Sequence, residues 1–209
     1  MDYFCYWTKT EHQQRRKIID VTTDNVSEIG IYCIKDKRLP GFHSKVEWFK
    51  TKINNGLKIK IAIDKQNKQL GFIEYIPSEL AWRPIKADNY IFVQCIALFV
   101  KEAKHKSIGT TLLKQCEKDA KLSGKSGVCV MSSDGAWMAN KTLFEKNGFI
   151  IADKLGRFEL MFKKINDKNL RPKFIDYAVV GVRKTDSFWF GFFHQQPDLK
   201  TISLIGEVN

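Results

Sequence analysis

Alternation between apolar and polar residues predicts the elements of the first third of the chain. Residues 17–22 are rich in β-branched side chains and predict a first strand. Apolar side chains recur at helical spacing over residues 46–53, and an Asn-Gly pair then ends the predicted helix. Residues 57–63 alternate between polar and apolar, and a short polar turn separates them from an apolar run over 69–76. We therefore expect these two runs to pair as an antiparallel hairpin.

The longest apolar run, over residues 90–100, predicts a central strand that is buried on both faces. A basic turn follows, and the apolar residues after it fall on one face of a predicted helix: Ile108, Leu112, Leu113, Cys116 and Ala120. Residues 127–133 predict another buried strand, and a helix ended by Gly148 precedes a closing strand pair over 149–165. The order β-α-β-β-β-α-β-α-β-β indicates an α/β chain built on one mixed sheet.

The charge of the chain favours anionic partners. Its 209 residues carry a formal net charge of +12, which attracts a polyphosphate cofactor or a nucleic acid. The lysines are dispersed along the chain rather than gathered in one block, which is equally consistent with a solvated surface. Nucleic-acid binding is therefore a hypothesis that only the charge supports, and we do not favour it.

Cysteine usage and hydropathy exclude several classes of protein. The five cysteines form no C-x-x-C pair and no cluster with histidine, so we expect neither a disulfide framework nor a metal site. The apolar run over 90–100 is too short to cross a bilayer, and no apolar core precedes the N-terminal charges. We expect a cytoplasmic protein that does not engage a membrane.

The turn between the central strand and the next helix has the features of an anion site. Backbone N–H groups at a helix start have no helical partner, and the helix dipole places partial positive charge there. Lys104, His105 and Lys106 add charge at this position. The turn lacks both the Walker and the dinucleotide-binding glycine patterns. It is a candidate phosphate site of another kind, although a basic start of an ordinary helix explains it equally well.

Two segments resemble the motifs of the GNAT superfamily of N-acetyltransferases. The basic turn resembles motif A, Q/R-x-x-G-x-G/A, with Lys104 at the Q/R position, Ser107 at the first glycine and Gly109 at the second. The segment ANKTLFEKNGF, residues 139–149, is similar to motif B, A-x-x-L-Y-E-K-x-G-F, with the alanine shifted by one residue. The resemblance spans residues 17–165. A bacterial branch of the superfamily, called YoaP-like, is also similar and carries an extension after this domain.

This resemblance implies the GNAT fold, an α/β (α+β) architecture with helices flanking a mixed sheet. In that fold the strand predicted within 90–100 splays from the strand at 127–133. We expect a GNAT acetyltransferase domain over residues 1–165 and a β-rich C-terminal extension over 166–209. The apolar segment at 188–193 would then dock on the domain or form a homodimer contact.

The resemblance further implies acetyl-CoA as the cofactor. Its pantetheine arm would add to the splayed strand, and its diphosphate would lie on backbone N–H groups of the basic turn. Ser107 lacks the close approach that glycine allows, but its hydroxyl can donate to a phosphate oxygen. The residues expected to bind the cofactor are Ala97, Leu98, Phe99, Lys104, His105, Lys106, Ser107, Ile108, Gly109, Thr110, Asn140 and Phe144.

Acetyl transfer to an amine needs a base for the amine and a donor for the thioester carbonyl, and an acid can assist the leaving thiolate. The positions that supply the base and the acid in many GNAT enzymes hold Val93 and Phe144, which can do neither. The candidate replacements for the base are Glu74 and Glu79, directly or through a water. Those for the acid are Tyr75 and Ser132, with Tyr90 and Ser133 as alternatives.

Three further side chains border the predicted site. Gln94 is the polar residue within the apolar central run, and it can hold a water or satisfy a backbone group. Trp82 and Arg83, in the loop before this run, suggest an acceptor with an apolar part and an anionic group. An Arg-Pro pair is also ordinary turn chemistry.

Two functions fit these patterns. The first is an acetyl-CoA-dependent N-acetyltransferase that moves an acetyl group to a primary amine of a small molecule or protein by direct transfer in a ternary complex. The second is a GNAT-like module that binds acyl-CoA without turnover, as a sensor or interaction domain. The residues at the base and acid positions, Val93 and Phe144, support the second function.

Overall fold

Nine strands and four α-helices make up the part of the chain that the computed structural model describes, residues 17–31, 37–99, 107–133, 138–139, 141–166 and 171–175. The strands are β1 (Lys17–Asp20), β2 (Lys58–Ile63), β3 (Gln69–Pro77), β4 (Ile85–Lys86), β5 (Tyr90–Leu98), β6 (Gly127–Ser133), β7 (Ile150–Leu155), β8 (Phe158–Lys164) and β9 (Lys173–Phe174). The helices are α1 (Val26–Ile29), α2 (Pro40–Lys52), α3 (Ile108–Leu122) and α4 (Lys141–Glu145).

Seven of these strands form one mixed sheet in the order β1-β2-β3-β5-β6-β8-β7. All neighbouring pairs are antiparallel except β5 and β6, which are parallel and connected through α3. Two antiparallel halves, β1-β2-β3-β5 and β6-β8-β7, therefore meet at one parallel seam. This arrangement confirms the predicted mixed sheet and the hairpin of β2 and β3. A separate two-stranded sheet pairs β4 with β9.

Helices cover both faces of the mixed sheet. On one side, which we call the α2 face, Phe42, Val46 and Phe49 of α2 are buried in a cluster with apolar side chains of the sheet. On the other side, the α3 face, the helical face that the periodicity predicted is confirmed. Its members are at most 1% exposed: Ile108, Leu112, Leu113, Cys116 and Ala120.

Gly127 sets the closed end of the parallel seam. A Cβ atom there would lie 2.4 Å from the carbonyl O of Lys163 and 2.6 Å from the ring of Tyr90. The missing side chain lets the buried Tyr90 ring lie against the start of β6. There it meets Phe162 edge to face, with ring centroids 6.3 Å apart. The start of β5 is therefore packed tightly against both β6 and β8.

The start of the predicted C-terminal extension is attached to the rest of the fold. Lys173–Phe174, as β9, pairs with β4, and Phe174 is buried. The backbone N–H of Phe174 donates to Asp153 Oδ2 at 2.8 Å. The division of the chain at residue 165 stays a prediction. The apolar segment at 188–193 and its predicted docking or homodimer contact lie outside the described residues.

No disulfide joins the cysteines of the described residues. Cys95 is half-buried, whereas Cys116 and Cys129 are fully buried and burial raises the pKa of both thiols. No group of three or more potential metal ligands occurs among the residues that the structure describes. The helices in the same residues are all too short or too polar to span a bilayer.

Candidate active site

The two strands of the parallel seam part in the middle of the sheet, which confirms the predicted splay. They pair from Tyr90 opposite Gly127 to Val93 opposite Val130. Beyond these pairs β5 stays on β3, and β6 stays on β8. The side of β5 that faced β6 has no further strand on it in the described part of the chain. The N–H and C=O groups of such an edge can pair with an extended ligand.

A β-bulge lies where this opening begins. Glu74 of β3 is opposite Cys95 of β5, but the next residue, Tyr75, is opposite Val93. Gln94 is therefore the extra residue of the bulge, and it directly follows the last residue of β5 that pairs with β6. Bulges bend a strand and redirect its side chains. The bulge thus brings polar side chains to the inner end of the opening.

Glu74 is the candidate base that the structure places beside this bulge. Its side chain is buried on the α2 face, where Oε2 lies 3.0 Å from Nζ of the equally buried Lys45 of α2. The Lys45 ammonium also lies 5.1 Å from the ring centroid of Trp48. A ligand amine that approaches Glu74 therefore has to share or replace this ion pair.

Trp82 and Arg83 reach the same region from the loop before β5. The Trp82 indole N–H donates to Gln94 Oε1 at 3.3 Å. The Arg83 guanidinium stacks on the Trp82 ring at 3.9 Å from its centroid. Burial lowers the pKa of Arg83 to about 9, so the group is still mostly protonated at pH 7. The two predicted acceptor-binding residues are thus linked to the bulge through Gln94.

The start of α3 lies beyond the C-terminal end of β5. Ser107 adopts the left-handed conformation there, with φ +56° and ψ +21°, and its side chain forms no capping hydrogen bond. Glycine adopts this conformation without strain, which accounts for the glycine that motif A has at this position. The first backbone N–H groups of a helix have no helical acceptor and can therefore bind a ligand. The helix of 15 residues adds a positive dipole end at the same place.

The side chains of the first helical turn are already engaged with the rest of the fold. Ile108 is buried, and the Thr110 hydroxyl accepts a hydrogen bond from Asn147 Nδ2 at 3.2 Å. A Cβ atom on Gly109 would lie 3.0 Å from Leu143 Cδ1, so this glycine serves the packing of α3 on α4. What the turn offers a ligand is therefore its backbone. Lys104, His105, Lys106 and Asn140 lie outside the described residues.

The last residues of β5 are half-buried. Ala97 and Phe99 pack against the α2-face cluster, whereas Leu98 packs against the α3-face cluster. The Phe99 ring stacks on Phe72 with centroids 5.7 Å apart. These three predicted cofactor contacts can therefore offer mainly backbone groups along the open edge.

Glu79, the second candidate base, lies at the other end of β5. Its Oε1 accepts the backbone N–H of Asn89 at 2.6 Å, and its Oε2 lies 3.5 Å from Lys125 Nζ. Asn89 precedes β5, and at 3.3 Å per residue it is about 16 Å from Gln94. The structure thus places the Glu79 carboxylate at the closed end of the seam, where it holds the turn, and its role as the base stays a prediction.

Tyr75, a candidate acid, faces away from Glu74. It is buried on the α3 face, and its hydroxyl donates to Asp119 Oδ2 at 2.8 Å. The same carboxylate oxygen accepts from Lys58 Nζ at 2.8 Å. Burial is the main cause that raises the pKa of Tyr75, and the hydrogen bond to Asp119 adds to it. The structure thus engages this phenol in the packing of α3 on the sheet, and its role as the acid stays a prediction.

Ser132 and Phe144 have different positions on the α3 side. Ser132 lies two residues beyond Val130 on β6, and its buried hydroxyl has no hydrogen-bond partner among the described residues. Phe144 is fully buried, with its ring centroid 5.6 Å from that of Phe149. The Phe144 ring therefore has no exposed surface, and its contact with the cofactor stays a prediction. Ser132 remains a candidate donor.

The chain is similar in sequence to a bacterial N-acetyltransferase. The chain is 29% identical over 150 residues to the uncharacterized N-acetyltransferase YoaP of Bacillus subtilis (strain 168). This match covers 68% of the chain and 57% of YoaP, so the chain spans little more than half the length of this relative. The resemblance to the YoaP-like branch is confirmed. No model of a known protein family matches the chain.

Two solved structures share the architecture. A candidate acetyltransferase from Acinetobacter baylyi ADP1 has a TM-score of 0.50 at 18% identity, over 74% of this chain and 94% of its own. The chain has the GNAT fold. An N-acetyltransferase from Staphylococcus aureus Mu50 likewise has a TM-score of 0.50 at 17% identity, over 72% of this chain and 98% of its own. The parted strands and the turn into α3 are therefore features of a GNAT fold.

Sequence inspection missed Lys45 as part of the site. Lys45 precedes the apolar residue Val46 in a helix and carries no motif, so its contact with Glu74 depends on how α2 packs on the sheet. Gln94 was noticed as the polar residue of an apolar run, but its place in a bulge was not. A polar residue inside a buried run of a GNAT fold was the signal that could have indicated the bulge.

Removing the Tyr75 hydroxyl should reduce stability. We expect Tyr75→Phe to lower the free energy of unfolding by about 1–2 kcal/mol at pH 7, because a hydrogen bond to a charged group is lost. Burial opposes ionisation of Asp119, but the hydrogen bonds from Lys58 and Tyr75 outweigh it and lower the pKa of the carboxyl. This stabilisation is present above the ordinary aspartate pKa of about 3.9 and is lost as the pH falls through the folded-state pKa.

Urea unfolding of both proteins between pH 7 and pH 3 measures this difference. The gap between wild type and Tyr75→Phe should shrink toward the acid end. An equal gap at both ends of the range would show that the hydroxyl does not act through the Asp119 carboxylate.

Proposed function

We propose that this protein is an acetyl-CoA-dependent N-acetyltransferase that acts on a primary amine of a small molecule or protein by direct transfer in a ternary complex. The similarity to YoaP and the GNAT fold support this function. The observation that carries it is the parting of β5 and β6 after Val93 and Val130, with Glu74 beside the start of the opening.

The described residues fit acetyl-CoA at two places. The open edge of β5, over Gln94–Leu98, suits the extended pantetheine arm, whose amides can pair with backbone groups as a further strand would. The N–H groups of Ile108, Gly109 and Thr110, in the first turn of α3, suit the diphosphate. Both contacts are made by backbone, so side-chain identity can vary.

Glu74 is the proposed base. When bound, acetyl-CoA supplies the acetyl group as a thioester, and the C–N bond forms as the C–S bond breaks. Glu74 takes the proton that the amine loses, and Lys45 beside it holds the carboxylate in position. Ser132 is the proposed donor to the leaving sulfur, since its hydroxyl is buried near the opening and has no partner among the described residues.

The acceptor is proposed to combine an amine with an apolar part and an anionic group. Trp82 offers an aromatic face beside the bulge, and Arg83 adds positive charge stacked on that face. A binding module without turnover is the second candidate, and Val93 and Phe144 at the usual base and acid positions favour it. Residues 166–209 are proposed as an extension that begins by docking through the β4–β9 pair.

Acetyl-CoA binding and thiol release test this function. Calorimetry should detect acetyl-CoA binding at physiological salt, and at least one amine of a panel of primary amines should accelerate release of the CoA thiol. Ser107→Asp should weaken acetyl-CoA binding by at least about tenfold, because a carboxylate would face the diphosphate. Aspartate is a favourable helix N-cap and tolerates the left-handed region, so folding should be retained.

Ser123→Asp is the matched control. Ser123 is exposed at the other end of α3, so the same charge change there should leave acetyl-CoA binding unaltered. Equal affinities of Ser107→Asp and wild type would contradict the position of the diphosphate. Binding without acceleration by any amine would favour the module without turnover.

Glu74 should be required for transfer but not for cofactor binding. We expect Glu74→Gln to lower kcat/KM for the best amine by about 100-fold or more, because the general base is lost. The acetyl-CoA affinity should stay within twofold. Glu47→Gln, which removes an exposed carboxylate that pairs with Lys50 on α2, should keep full activity.

A second variant separates catalysis from folding. Removing one partner of a buried ion pair is itself destabilising, so the double variant Lys45→Gln, Glu74→Gln is measured as well. It should be as inactive as Glu74→Gln while its melting temperature is closer to that of wild type. Retention of activity within threefold in either variant would rule out Glu74 as the base.

A further inference from the structure

Gln94 presents a buried amide at the point where the two central strands part. It directly follows Val93, the last residue of β5 with a partner in β6. It is also the extra residue of the bulge, beside the pair that Cys95 forms with Glu74 of β3. Among the described residues, no other position lies at the end of the seam, within the bulge and beside the candidate base.

The orientation of this amide is fixed by its neighbour. Gln94 Oε1 accepts the indole N–H of Trp82 at 3.3 Å. An indole nitrogen can only donate, so the atom that faces Trp82 has to be the amide oxygen rather than the nitrogen. The amide nitrogen therefore points the other way and keeps both of its protons available. The indole N–H thus distinguishes the oxygen from the nitrogen of this glutamine amide.

The amide nitrogen lacks a hydrogen-bond acceptor. Gln94 Nε2 is buried, and no atom of the described residues accepts from it. Buried donors are almost always paired, because an unpaired one loses its hydrogen bonds to water without replacement. The nearest carboxylate on the adjacent strand, that of Glu74, is engaged by Lys45. A buried donor that is oriented but unpaired is best explained by an acceptor atom that a ligand supplies.

We infer that the Gln94 amide donates a hydrogen bond to the carbonyl oxygen of the acetyl thioester, an inference that rests on the proposed function. A pantetheine arm along Gln94–Leu98 would end at the inner end of the opening, which is where this amide lies. Negative charge develops on the carbonyl oxygen during transfer, and an oriented donor in a dry site stabilises it. A neutral amide cannot take the amine proton, so Gln94 and Glu74 have complementary roles.

The carbonyl stretch of bound acetyl-CoA tests this inference without any acceptor. Isotope-edited infrared spectra with ¹³C at the acetyl carbonyl should show a lower frequency bound to wild type than in solution. In Gln94→Leu and Gln94→Glu most of this shift should disappear, because leucine has no polar hydrogen and an ionised glutamate can only accept. Turnover with the best amine should fall about 100-fold in both variants, while CoA affinity stays within twofold.

Two variants serve as controls. Gln66→Glu makes the same substitution in the exposed turn between β2 and β3 and should leave the spectrum and turnover unaltered. Trp82→Phe removes the donor that orients the amide, so the bound carbonyl band should broaden and move part of the way toward its solution frequency.

The outcomes separate this inference from the function on which it rests. An unshifted carbonyl band in wild type with bound acetyl-CoA, or an equal shift in wild type and Gln94→Leu, would overturn the role of Gln94 alone. A parallel loss of CoA affinity in Gln94→Leu would show that Gln94 only supports the fold, and would also overturn that role. Failure of wild type to bind acetyl-CoA would overturn both.

Discussion

The parallel pairing of β5 and β6 ends after Val93 and Val130, and the candidate site depends on this limit. Strands that stayed paired would satisfy their own backbone groups and leave no edge for a ligand. Each strand instead remains held on its outer side, β5 by β3 and β6 by β8. The opening is therefore a gap between two well-supported halves of the sheet.

Packing at the two ends of the parallel seam explains why β5 and β6 stay paired at one end and separate at the other. At the closed end, Gly127 allows the Tyr90 ring and the Lys163 carbonyl to approach β6 closely. Beyond the open end, the left-handed Ser107 starts α3, which covers the sheet through its buried face. The bulge at Gln94 lies between these ends and brings an amide near the Glu74–Lys45 ion pair. The backbone groups proposed to bind the cofactor and the side chains proposed to react thus follow one another along β5 toward the start of α3.

Local patterns in the sequence predicted the elements and the turn into α3 well. The apolar run of β5, the helical face of α3 and the closing strands are each visible in short windows, because one element sets each pattern. The glycine position of motif A pointed to Ser107, whose left-handed backbone explains that requirement. These features depend on residues that are close in the chain.

Local sequence patterns could not predict the roles of individual polar residues. Tyr75 is paired with Asp119, 44 residues away, and adjacent strand residues such as Glu74 and Tyr75 face opposite sides of the sheet. Glu79 looked equivalent to Glu74 until the antiparallel register placed it at the closed end. Tertiary pairing decides which side chains meet, and a single sequence carries no direct record of it. The role of Gln94 could be inferred only from the register between β3 and β5 and from the position of Trp82.

Amide hydrogen exchange of β5, followed by NMR with and without saturating CoA, tests the central claim most directly. The amides of Gln94–Leu98 whose N–H groups point away from β3 should exchange at least about tenfold more slowly when CoA is bound, because the ligand takes the place of a strand. The amides of Tyr90–Val93 should change little, since β6 already pairs with them. Slower exchange elsewhere with no change along Gln94–Leu98 would contradict the assignment of the parted strands as the cofactor site.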